Sequence, residues 1–138
     1  MKAKVKWVQD VMFLGESGSG HSVVMDGAPD AGGRNVGFRP MEMMLMGLAG
    51  CSAFDVVLIL KRSREDITDC VVDVDGERAE TDPKVFTRVR MHYIITGRNL
   101  DAKKVERAVK LSEEKYCSAS AMFGKTATLT HTIEIREA

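Results

Sequence analysis

MEMMLMGLAGCSAFDVVLIL (residues 41–60) is apolar on nearly every helical face, with Glu42 and Asp55 its only charges. Pro40 suits the first turn of a helix, and the run fades into KRSRED (61–66), so a single long helix is expected. Its 20 residues match the thickness of a membrane span. Asp55 argues against that reading, because a carboxylate well inside a lone span costs about 2.5–3.5 kcal/mol. The segment is expected instead to be the central helix of a soluble fold, covered by a sheet on one side and by a second subunit on another.

Upstream of this helix, residues 2–8, 11–16 and 19–26 read as short strands around the Gly15–Gly20 turn region, followed by a glycine-rich loop at 25–37. Downstream the period becomes two. Thr68, Cys70, Val72 and Val74 share one face of a strand, and Asp69, Val71, Asp73 and Asp75 the other. A second strand, 84–96, puts Val85, Thr87, Val89, Met91, Tyr93 and Ile95 inward and Arg88, Arg90 and a solvated His92 outward. Residues 101–116 form an amphipathic helix with Asp101 as N-cap, and 126–136 alternate strictly, with Ala127, Leu129, His131, Ile133 and Ile135 on the apolar face. Strands segregated from helices give an α+β class, and 138 residues give one domain spanning 1–138.

Composition excludes several functions. Lys+Arg and Asp+Glu are both 20, which leaves no net field for nucleic acid or an acidic membrane. An odd count of three cysteines, and a start that runs straight into the strand-like AKVKWV, argue against a secreted disulfide scaffold or a signal peptide. The expected compartment is the cytoplasm. With no C-x-x-C or H-x-x-x-H spacing, no metal site is expected, and no phosphate loop or nucleophile elbow supports a cofactor or Ser52 as nucleophile. His131, on an apolar face, reads as a satisfied core histidine.

The thiols carry the chemical signal. Cys51 lies inside the long helix and Cys117 just past the polar one, whereas Cys70, on a strand face, reads as core packing. Asp55, four residues after Cys51, shares its face, and Glu42, nine residues before it, falls about 180° away. An unpaired carboxylate beside a thiol suppresses the thiolate, and an arginine bridging the two reverses that sign; Arg39 is the candidate. Ser118 is placed to cap the short SASAMF turn, which would leave Cys117 near a helix N-terminus, where thiolate is favoured. Spacing alone does not say whether the thiols meet.

PMEMMLMGLAGCSAFDVV (40–57), joined to SEEKYCS (112–118), resembles the OsmC/Ohr family of organic hydroperoxide reductases, in its YhfA-like branch. The likeness continues through KVKWV, FLGES and MDG to the final strand. It implies antiparallel sheets wrapped around long central helices in an intertwined homodimer, with active sites at the interface. It also implies that Cys51 attacks an organic hydroperoxide to form a sulfenic acid, that Cys117 resolves it as a disulfide, and that a dithiol, often lipoyl-based, restores the pair. No further cofactor is implied. Met43, Met44, Phe54 and Met122 would line an apolar substrate pocket, although nine methionines also suit core filling.

One departure matters. Met41, not a glutamate, follows Pro40, and FLGESGSGHSVVMDG contains no arginine, so the family's activating arginine–glutamate pair does not transfer by position. Arg39 with Glu42 or Asp55 is the replacement to test. The expected function is a thiol-dependent peroxidase in oxidative stress defence. The alternative is a binding protein of the same fold that holds a small hydrophobic or electrophilic metabolite, and a purely structural subunit is a third reading.

Overall fold

The computed structural model describes residues 1–138, and the chain divides into two compact units, Met1–Met44 and Leu45–Ala138. The first holds three strands, β1 (Ala3–Gln9), β2 (Met12–Ser17) and β3 (Ser22–Met25), in an antiparallel sheet of order β1-β2-β3. Asp10 takes a φ of 47° in the β1–β2 turn, where its carbonyl accepts the Trp7 indole N–H at 2.8 Å. Asp26 then organises the glycine-rich loop. Its buried carboxylate accepts the backbone N–H of Gly27 (2.8 Å), Arg34 (3.0 Å) and Val36 (3.2 Å), and Met25 bridges Phe38.

Helix α1 (Pro40–Arg62) starts at the expected proline, and Glu42 closes its first turn by accepting the Arg39 N–H at 2.9 Å. Its buried residues, Leu48, Ala49, Ser52, Val56 and Leu60, make a single stripe. The opposite face is open within one chain, with Met44 50%, Met46 43% and Phe54 69% exposed. By length and composition α1 is long and apolar enough to cross a membrane. Ser52, Asp55 and the buried stripe it shares with the rest of its unit are features of a packed helix instead.

The second unit contains β4 (Asp66–Arg78), β5 (Phe86–Arg98) and β6 (Thr128–Glu137), in the order β4-β5-β6. The α+β class expected from the sequence is the one observed. One pairing departs from the expected antiparallel sheets: β6 runs parallel to β5. Its cause is the connection, since the chain crosses over through α2 (Ala102–Leu111), a π turn (Ser112–Tyr116) and α3 (Ser118–Phe123) instead of a hairpin. The core consists of Val89, Met91, Tyr93 and Ile95 of β5, Leu48, Val56 and Leu60 of α1, and Val105, Ala108 and Val109 of α2.

Two bulges correct the expected faces. Ile67 and Asp69 pair with Gly97 and Thr96, which leaves Thr68 extra and exposed; Glu77 and Arg78 pair with Arg88 and Phe86, which leaves Thr87 extra. Each inserted residue reverses the alternation beyond it. Phe86 therefore turns into the core in place of Val85 and Thr87. Just before β6, Ala127 is buried, but on the strand itself His131 and Ile135 are exposed. Helix α2 has the expected Asp101 cap, accepting the Lys103 N–H at 2.9 Å, yet ends at Leu111, short of the predicted Tyr116.

Candidate functional site

Cys51 sits half-buried at the middle of α1, and Cys117 is buried where the π turn meets α3. Both thiols are free, and Cys51 lies near enough to Cys117 to add to its ionisation cost. The π turn makes this possible. It places the Cys117 N–H on the Ser112 carbonyl at 2.7 Å and turns the chain back toward α1.

Cys117, not Ser118, is the N-cap of α3, and its sulfur accepts the Ser120 N–H at 3.3 Å. That geometry overturns the expected ease of ionisation. Burial is the largest influence and pushes the Cys117 thiol up, the Ser120 side chain and N–H pull it down, and the adjacent Cys51 raises it again; the balance lies above an ordinary thiol. Cys117 is thus held as the neutral partner at neutral pH.

Around the thiols lies a buried hydroxyl cluster. Ser52, next to Cys51 in sequence, shares hydrogen bonds with Tyr93 (2.6 Å) and Ser112 (2.9 Å), and Ser112 donates to Asp55 Oδ2 at 3.2 Å. Asp55 makes no ion pair. Burial raises Tyr93 well above an ordinary phenol, so its hydroxyl stays neutral and donates or accepts within the cluster. Glu113, whose side chain is 17% exposed, pairs through Oε2 with His131 Nδ1 at 2.7 Å, while its buried Oε1 has no partner. Burial raises the Glu113 carboxyl, and His131 and the Tyr93 hydroxyl act against that rise.

The other expected site residues are distributed differently. Arg39 directs its guanidinium to Asn35 Oδ1 (2.7 Å) and the Gly37 carbonyl (3.3 Å), and Glu42 is engaged by the Arg39 backbone, so the two side chains form a helix-start lock and no ion pair. Met43 lines a groove of about 310 Å³ with residues of β1–β3. Phe54 lines another, about 400 Å³, with Val57, Lys61 and Cys70. Met44 and Met122 are exposed. Cys70, expected in the core, is half-buried at that groove, and burial with Asp69 beside it pushes its thiol up. His92 is not simply solvated: it bonds Thr132 at 2.6 Å and faces Glu134 at 3.4 Å.

Sequence reasoning missed Ser112, Tyr93, Glu113 and Ser120 as site residues. Three of the four lie in or beside SEEKYCS, so the motif was seen but the direction of its side chains was set by the π turn. Asp26 was missed too, although MDG carries a turn signature.

A family profile described as OsmC-like protein matches residues 32–132. Protein YhfA of Escherichia coli (strain K12) is 49% identical over 138 residues, which covers 98% of each chain. A hypothetical protein from Aquifex aeolicus VF5 superposes with a TM-score of 0.87 at 29% identity, over 99% of this chain and 96% of that one. The same fold, at 20% identity and a TM-score of 0.64, is found in the organic hydroperoxide resistance protein OhrB of Bacillus subtilis, over 97% of this chain and 98% of that one.

Proposed function

Because this chain belongs to the OsmC-like family, we propose that it is a thiol-dependent peroxidase acting on organic hydroperoxides in oxidative stress defence. The observation that carries the reading is the pair of free, adjacent thiols Cys51 and Cys117, one half-open and one buried. Cys51 attacks the terminal peroxide oxygen, the O–O bond breaks, and the alcohol leaves with a proton. Cys117 then attacks the Cys51 sulfenic acid, releasing water and closing a disulfide. An external dithiol of the lipoyl type reduces it.

Related features support the same reading. The uncovered face of α1 calls for a second copy of the chain, so the working form is a homodimer and residues 1–138 act as one OsmC-like domain within it, in the cytoplasm. The partner copy would complete a substrate pocket against the exposed Phe54 and Met122. Asp55, through Ser112, and Arg39 with Glu42, through the start of α1, are positioning residues in this scheme.

Two observations favour a second reading. No arginine bonds either cysteine or Asp55, and burial holds Cys117 in its neutral form, which suits a protein that binds a small hydrophobic or electrophilic molecule and turns over little. Consumption of cumene hydroperoxide with dihydrolipoamide as reductant separates the two. Steady turnover that is lost in Cys51→Ser supports the peroxidase; tight binding of an apolar ligand with no turnover supports the binding protein.

A further inference from the structure

We infer that Ser112 and Glu113 clamp the π turn between α1 and β6, and that this clamp sets how readily the Cys51–Cys117 disulfide forms. The inference deepens the peroxidase reading and rests on Cys51 and Cys117 being its working pair. Five residues in π geometry, Ser112–Tyr116, separate α2 from Cys117, and so uncommon a turn needs anchors outside itself. Ser112 is the inner anchor. Its hydroxyl donates to Asp55 Oδ2 at 3.2 Å and meets the Ser52 hydroxyl at 2.9 Å, which bonds the start of the turn to the helix that carries Cys51. Its main-chain carbonyl accepts the Cys117 N–H at 2.7 Å. One residue is thus joined by its side chain to the helix of the first thiol and by its backbone to the residue of the second.

Glu113 is the outer anchor. Its Oε2 meets His131 Nδ1 at 2.7 Å, which ties the next residue of the turn to β6. The His131 ring stands edge-on to Tyr93, with centroids 6.3 Å apart at 82°, and the Tyr93 hydroxyl bonds Ser52 at 2.6 Å, so β5 braces both anchors. Glu113 is poorly chosen for stability alone. Its side chain is only 17% exposed and its buried Oε1 has no partner, so the desolvation of the carboxylate offsets much of what the pair contributes. What the pair does fix is the course of the backbone that leads to Cys117.

The clamp has a defined task when the disulfide closes. Each thiol gives up one proton and one electron, the S–S bond forms, and the two protons and two electrons pass to the oxidant. The equilibrium of that step follows the effective concentration of one sulfur at the other. The Ser120 N–H already orients the Cys117 sulfur at 3.3 Å, and the two anchors fix the chain that presents it. Neither Ser112 nor Glu113 bonds a sulfur; both are positioning residues, and His131 is the post to which the second is tied.

The test needs no peroxide, so its failure is distinct from failure of the peroxidase reading. The protein is equilibrated in glutathione buffers of graded ratio, where glutathione disulfide takes up the two protons and two electrons, and the Cys51–Cys117 disulfide is quantified by peptide mapping. In Glu113→Ala and His131→Ala the equilibrium constant for the disulfide is expected to fall about tenfold, a shift of about 30 mV. Glu113→Gln, whose amide oxygen still accepts from His131, is expected to keep the wild-type value. Val105→Ala, a core variant in the first turn of α2, controls for stability: it should lower Tm and leave the equilibrium where it was. Constants within about twofold of wild type in Glu113→Ala and His131→Ala, or a fall as large in Val105→Ala or Glu113→Gln, would overturn the clamp and leave Glu113–His131 a structural pair. A wild-type protein whose Cys51 and Cys117 never join would overturn the thiol pair itself, and the clamp with it.

Discussion

The two thiols have unlike surroundings, and unlike tasks follow from them. Cys51 is half-open and is assigned the attack; Cys117 is buried and neutral and is assigned the resolution. Cys117→Ser is expected to keep the first oxidation, stopping at a Cys51 sulfenic acid that a dimedone probe traps, and to lose dithiol-driven turnover. Cys70→Ser is expected to leave both unchanged, since its thiol faces a separate groove. Asp26 supplies a residue-scale prediction of another kind. Burial opposes its charge, but the three backbone N–H donors and Arg34 outweigh that effect and hold the carboxyl below its ordinary range. A depressed folded-state value contributes stability above the unfolded carboxyl range and loses it as pH falls through the folded value. Asp26→Asn should therefore flatten the acid limb of the thermal stability profile and lower Tm at neutral pH, as followed by circular dichroism.

The long helix and the strands around it show how much of the fold was legible in the sequence at the scale of elements. Helix α1 was readable because an apolar run of its length, opened by Pro40 and closed by Lys61 and Arg62, leaves no competing period. The strands were readable from alternation, but the bulges at Thr68 and Thr87 were not, since an inserted threonine is itself a β-former and leaves no local signature. The end of α2 at Leu111 was equally hidden. Ser112 is buried within the cluster, and that tertiary demand, with no proline or glycine to announce it, opens the π turn. The same turn explains why the candidate site was half legible: Cys51 and Cys117 could be named from motifs, whereas Ser52, Tyr93, Ser112 and Glu113 meet only across distant elements. Ser52→Ala tests the cluster. Removing the shared hydroxyl strands those of Tyr93 and Ser112 in the core, at a cost of about 1–3 kcal/mol. Tm should fall by about 3–10 °C, with secondary structure retained below the transition.

For the molecule as a whole, the open face of α1 is the feature that a single chain does not explain. Met44, Met46 and Phe54 stand exposed on a helix otherwise built for burial, and a soluble protein rarely leaves such a contiguous face bare. A homodimer covering this face is the expected state, with a sedimentation coefficient that does not change on dilution through the micromolar range. Phe54→Glu, which adds a charge where Phe54 is 69% exposed in one chain, should leave each chain folded but shift the population toward monomer and reduce turnover with it. A monomeric wild-type protein of full activity would contradict that arrangement.

The central claim is that Cys51 and Cys117 work as one redox unit. It is tested most directly by peptide mapping with mass spectrometry after the reduced protein meets one equivalent of cumene hydroperoxide. The account predicts a Cys51–Cys117 disulfide as the main product, reversed by dihydrolipoamide, with Cys70 still a free thiol. Recovery of Cys51 and Cys117 as unmodified thiols, or a disulfide that runs through Cys70, would contradict it.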